Sequence, residues 1–166
     1  FPNTTFVSTL TGFASVPASS APAWRPLRDR PILVGYRGRA LPFWYGDLGQ
    51  EKQEIAQRFR AEAEARSLPV DIHWDDQHRI YGGAWNEFLA SCRATLGTES
   101  GSNLFDDTGT LRAGFERYQR EHPDAPYREA YRAVIGDAPE PNIMNQISPR
   151  IFESIEAGTA LILFEG

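Results

Sequence analysis

Three stretches of the chain carry residue types that can do chemistry. Arg37-Gly38-Arg39 sets two guanidiniums around a glycine. Guanidinium forks can clamp a phosphate, and a glycine lets backbone approach it; the same tripeptide also suits a plain surface turn. Gly97-Thr98-Glu99-Ser100-Gly101-Ser102 offers N–H groups and hydroxyls that could nest an anion, and Glu99 could accept from a ribose or sugar hydroxyl. An ordinary small-residue turn reads the same way. Glu153 and Glu156 fall in the last helical segment, where a carboxylate either faces a cleft or lies on a solvated helix face.

Other reactive types receive blander readings. His73, Asp75, Asp76 and His78 have the chemistry of metal ligands, and Asp71, His73 and Asp75 share one face of an extended segment. The stretch is short and polar and follows a strand, so it reads as a solvated loop, and no metal is assigned. His122, before Pro123, reads as a surface residue. Ser100 does not sit in a G-x-S-x-G elbow. Cys92 closes the apolar face Trp85, Phe88, Leu89, Cys92 and reads as a small buried hydrophobe. No G-x-G-x-x-G follows the first strand, and no G-x-x-x-x-G-K-[ST] occurs. Phe43, Trp44 and Tyr45 either stack on a ring of a ligand or close over the core.

These residues need elements to position them. Ile32 to Tyr36, Val70 to Trp74, Ala94 to Gly97 and Ala160 to Phe164 read as short strands, the first and last continuously apolar. Between them, Gln50 to Arg66 repeats Ile55, Phe59 and Ala63 at helical spacing, and Trp85 to Cys92 shows one apolar face. Weaker helical patterns are Leu111, Phe115, Tyr118 and Tyr127, Ala130, Tyr131, Val134. The final helix has Ser148 as N-cap, Pro149 at its first position, Ile151, Phe152 and Ile155 as buried face, and Gly158 at C′. Apolar strands alternating with helices predict a Rossmann-like α/β fold with a parallel sheet covered on both faces. Ligands of such sheets sit at the carboxyl ends of the strands. The loops Arg37 to Gly49 and Gly97 to Asn103, and the turn around Glu165, fall there.

Composition bounds what the chain can be. A length of 166 residues suits one domain, or one domain with a tail. Residues 1–30, dense in Ala, Ser and Pro toward their end, read as a linker or surface strap, with Trp24 as an anchor. Residues 31–166 read as the folded domain, with a helical insertion over about 103–144. Against 22 acidic residues stand 17 basic ones, a net charge of −5, which argues against a global nucleic-acid surface. No run approaches the ~18 apolar residues of a membrane span. Phe1 to Leu10 lacks the basic end of a signal peptide. The one cysteine excludes an internal disulfide and a cysteine zinc cluster, and the expected compartment is cytoplasmic.

Three ordered segments resemble a known family. Ser148-Pro149-Arg150-Ile151-Phe152-Glu153, running on to Gly158 and Ile162, resembles the E-A-x-A-x-G-x-P-V signature of retaining GT-B glycosyltransferases. Gly35-Tyr36-Arg37-Gly38-Arg39, Leu41-Pro42, Tyr45-Gly46, Leu48-Gly49 and Glu51-Lys52 resemble a segment of the CgeB-like (spore-maturation) branch, and Leu96 to Ser102 resembles a third. The likeness spans Pro31 to Gly166. It implies an incomplete C-terminal, nucleotide-sugar-binding domain of a metal-independent hexosyltransferase. It further implies a nucleotide-sugar donor as substrate, no cofactor, and a glycan, protein or small-molecule acceptor. Carried over by position, Arg39 meets the donor diphosphate and Lys52 follows as a phosphate-binding lysine. The neighbouring Arg37, Gly38, Gly97, Ser100, Gly101 and Ser102 complete that phosphate site. Glu153 holds the ribose and forms the catalytic pair with Glu99. The family's usual first glutamate, counted back from Glu153, falls on Asn145, so it is either lost or displaced to Glu99. Ala160 stands where the family has proline.

Overall fold

The computed structural model describes residues 2–14, 25–137 and 144–164. Trp24, most of the Ala/Ser/Pro-rich stretch before it, and Glu165 lie outside them.

Four strands form one sheet: β1 (Ile32–Arg37), β2 (Val70–His73), β3 (Cys92–Gly97) and β4 (Ala160–Leu163), in the order β2-β1-β3-β4. Every pairing is parallel, with Val34 opposite Val70 and Ala94, and Ala94 opposite Ala160. The fold is α/β and Rossmann-like, as the alternation of apolar strands and helices predicts.

Helix α1 (Asp47–Ala65) packs against β2 and β3. Its Ile55 and Ala56 join Val34, Tyr36, Ile72 and Leu96 in the main core. Residues of one strand alternate between faces, so Gly35 points the other way, toward α2 (Gly83–Ser91). A Cβ on Gly35 would stand 2.3 Å from Cys92 Sγ and 2.7 Å from the Phe88 ring, so only glycine admits this helix so close. Cys92 is wholly buried but belongs to β3 rather than to the helix. Helix and strand abut with no loop, and Cys92 Sγ still donates to Phe88 O at 3.1 Å, one helical turn back.

Helix α3 (Thr110–Glu121) and helix α4 (Tyr127–Val134) build a second apolar cluster of Leu104, Phe115, Ala130 and Tyr131. Phe43 and Trp44 pack onto it, with the Phe43 ring 5.4 Å from Tyr127 and 6.3 Å from Phe115, edge to face. Of the two readings left open for these aromatics, closing over apolar surface is the one observed; Tyr45 beside them stays part-exposed.

Helix α5 (Pro149–Glu156) starts at the expected residue but without the expected cap, because Ser148 makes no side-chain capping bond. It ends as read. Gly158, at φ 59°, donates to Ile155 O, and Thr159 donates to Ser154 O, which is a Schellman closure. Its buried face differs from the expectation. Ser154 is buried while Ile155 is 57% exposed. The sheet is also less covered than expected at β4, an edge strand with Ile162 and Leu163 part-exposed.

Arg30 is an anchor that no motif announces. It is 2% exposed, and its guanidinium donates to Cys92 O, Thr159 Oγ1, Ala157 O and Arg25 O. One side chain thus ties the segment entering β1 to β3 and to the turn before β4. Each such charge-assisted bond in a buried setting is a strong one.

Candidate functional site

A cleft of about 550 Å³ opens beyond the carboxyl ends of β1 and β3. Arg37, Gly38 and Arg39 line it from the first strand, Lys52 from α1, and Thr98 and Ser100 from the loop after β3. Arg79 to Gly82 and Trp85 line it from the approach to α2, and Ser148, Pro149, Arg150 and Glu153 from the start of α5. Five of the lining side chains are cationic and one is anionic, in a chain that is acidic overall. The N-terminus of α5 adds its partial positive charge to the same space.

Hydrogen bonding decides which cations are available. Arg39 is exposed and has no partner among the described residues. Arg37 is committed: Nη2 binds Asp71 Oδ2 at 2.8 Å, Nη1 donates to Tyr36 O and Asp71 O, and the guanidinium lies 4.3 Å from the Phe88 ring centre. The clamp of two arginines therefore reduces to one, with Arg37 presenting its carbonyl, which accepts from Arg150 Nη2. Gly38 spends its N–H on His73 O at 2.7 Å.

Lys52 Nζ donates to Leu48 O at 3.1 Å and Glu99 O at 2.7 Å, leaving one N–H for a ligand. Desolvation by burial lowers its pKa, with Glu51 opposing and Arg150 assisting that shift. Arg150 lies over two rings, 5.3 Å from the Tyr36 centroid and 5.5 Å from that of Trp85. Glu153 projects into the cleft from α5 and accepts from Trp85 Nε1 at 2.9 Å, which fixes one carboxylate oxygen.

The loop after β3 is more self-contained than the anion-nest reading requires. Ser100 N donates to Gln146 O, and Gln146 N returns a bond to Ser100 O. Ser102 Oγ has one proton to donate, with Leu104 O at 2.7 Å and Tyr45 O at 3.0 Å as its acceptors, and it accepts from Leu104 N, so its hydroxyl serves the loop. Gly97 is the last residue of β3, and its carbonyl accepts from Phe164 N. Gly101 holds φ at 110°, with the place of its missing Cβ 1.8 Å from Met144 O. Glu99 is exposed and outside the cleft lining; its carboxylate accepts from Asn145 Nδ2 at 2.6 Å. Ser100 and Thr98 are the members of this loop that reach the cleft.

Sequence reasoning missed Arg79, Tyr81, Trp85 and Arg150 as cleft residues. Tyr81 is 70% exposed on the cleft wall, a position open to a stacking ligand. A long chain separation divides these residues from β1, and no local spacing connects them. Cys92 is excluded as a nucleophile, since burial pushes its thiol up to about 12.

No family model, no curated protein and no solved structure matches this chain. What the site can do rests on its chemistry: fixed cations and a helix N-terminus for an anion, a held carboxylate for hydroxyls, and aromatic surface for a ring.

Proposed function

We propose that this cleft receives a nucleotide sugar and that the chain is the donor-binding part of a retaining GT-B glycosyltransferase of the CgeB-like kind. One observation carries the reading. Arg39, unpartnered among the described residues, half-committed Lys52 and the carboxylate of Glu153 line one cleft at the carboxyl end of a parallel sheet. In this reading Arg39 and the free N–H of Lys52 meet the diphosphate, with Arg150 and the first turn of α5 adding positive potential. Glu153 accepts from the ribose hydroxyls through the oxygen that Trp85 leaves open. The anomeric C–O bond to the diphosphate breaks, the acceptor oxygen bonds the anomeric carbon on the same face, the departing diphosphate oxygen takes the acceptor's proton, and the cations of the cleft stabilise that diphosphate.

A second reading has its own observation. Glu99, the partner assigned to Glu153 in catalysis, lies outside the cleft lining and is bonded to Asn145. A nucleotide- or anion-binding module without transfer activity fits that arrangement. Calorimetric titration with UDP, GDP and ADP, each beside its nucleoside, tests the binding common to both readings. Saturable binding of a diphosphate at least tenfold tighter than its nucleoside is expected; equal or absent binding refutes both. Release of hexose to an acceptor, measured in the full-length gene product, separates transfer from binding alone.

A further inference from the structure

The carboxyl end of β2 carries a cluster that the cleft does not use. His73 is the last residue of β2; just beyond it Asp75 caps a 3₁₀ turn, Asp76–His78, and His78 ends it. One ligand atom from each of His73, Asp75 and His78 lies within 4.8 Å of those of the other two. We propose that these three side chains form a binding site for a divalent transition metal ion of the zinc class.

The parts of such a site are all present. Asp75 caps the turn, its Oδ1 accepting from Gln77 N at 3.0 Å and His78 N at 3.2 Å, so the carboxylate is held in place by backbone. His78 Nδ1 stands 2.7 Å from Asp75 Oδ1, and His73 Nδ1 stands 3.9 Å from Asp75 Oδ2. The other nitrogen of His73, Nε2, faces Asp71 Oδ1 at 3.2 Å. A carboxylate there accepts a hydrogen bond from Nε2–H and leaves the lone pair on Nδ1, the nitrogen nearer Asp75, which is the outer support that metal-binding histidines use. Asp71 is itself fixed by Arg37.

The rings of His73 and His78 are stacked, 3.6 Å apart and 11° from parallel. A metal lies in the plane of each ring that binds it, so coordination splays the stack. His78 is half-exposed on a short turn and can swing by side-chain rotation. Two imidazoles and one carboxylate suit a zinc-class ion at about 2.0–2.2 Å, with water in the fourth position. The stretch reads as a solvated loop in the sequence because the turn that brings His78 back onto His73 has no signature in its residue types.

Chelator-stripped protein titrated with Co(II), read by visible absorption, and with Zn(II), read by competition with a chromophoric chelator, tests the site. One ion per chain is expected. His73→Ala and His78→Ala should each weaken it more than tenfold, with circular dichroism unchanged. His78→Ala is the safer of the two, since His78 does not contribute to the core. Asp71→Asn should weaken binding about 10- to 100-fold at unchanged stoichiometry. His122→Ala should leave affinity as it is. No saturable one-to-one binding at micromolar protein, or one-to-one binding that both histidine variants retain, overturns the proposal.

Discussion

Two loops leave the same end of the same sheet, and they use their polar groups in opposite ways. After β1 the main chain leans on β2 and the residues following it, through Gly38 N to His73 O and Ala40 N to Trp74 O, and Arg37 is locked by Asp71. That support leaves the Arg39 side chain at the cleft without a partner among the described residues. After β3 the chain bonds instead to itself, to Tyr45 and Lys52 and to Asn145 and Gln146, which engages the Glu99 carboxylate and carbonyl, the Ser100 backbone and the Ser102 hydroxyl. Both loops are rich in glycine and polar residues and look alike as candidate phosphate sites. What distinguishes them is hydrogen-bond accounting: a donor already bonded inside the protein offers a ligand little.

Breaking the β3 loop should produce the largest effect. In Gly101→Ala the new methyl would meet the Met144 carbonyl in a backbone conformation that L residues rarely adopt. We expect a loss of about 3 kcal/mol or more in chemical denaturation; a variant as stable as the parent would mean that the 97–102 loop is not locked onto residues 144–146.

The support beneath the β1 loop comes next. Asp71→Asn removes the carboxylate that holds Arg37, whose side chain is 14% exposed. A hydrogen bond to a charged group in this setting is worth about 2 kcal/mol, so the denaturation midpoint should fall accordingly. Burial alone would raise the pKa of Asp71, but the Arg37 hydrogen bond and charge, with His73 and His78, bring it below its ordinary 3.8. A carboxylate depressed in the folded state contributes stability above its ordinary pKa and loses it as pH falls through the depressed value. The variant should therefore lose less stability than the parent on acidification below that ordinary value. A parallel decline of the two proteins would show that the pair is not coupled to folding.

Smaller effects sharpen the contrast between the loops. Ser102→Ala should change diphosphate affinity less than twofold, because its hydroxyl already bonds Tyr45 O and Leu104 O; a tenfold loss measured by calorimetry would restore the β3 loop as an anion site. Removing metal with EDTA should leave diphosphate affinity unchanged, since His73, Asp75 and His78 are not among the cleft's lining residues. A drop reversed by Zn(II) would join the two sites.

The strands were legible because each is a short apolar run bounded by proline, glycine or a helix, and the three runs beginning at Ile32, Ala94 and Ala160 do share one parallel sheet. Gly158 was legible because a left-handed turn at a helix end has few other occupants. Cys92 was assigned to a helix because it continues the Trp85, Phe88, Leu89 spacing, and no glycine or proline marks the switch to β3. Arg30 was hidden among prolines, since only the fold brings Cys92, Ala157 and Thr159 around it. In the cleft, Arg39 and Glu153 were legible by type and position, and Lys52 through the resemblance alone. The commitment of Arg37 to Asp71 was not, because the register of β2 beside β1 decides it.

The central claim is that the free arginine after β1 makes this a diphosphate cleft, and titration of Arg39→Ala with UDP and with uridine tests it most directly. The account predicts that UDP affinity falls about tenfold or more, in line with loss of one charge-assisted contact, while uridine affinity holds within twofold. Equal losses for UDP and uridine, or UDP affinity unchanged, would contradict it.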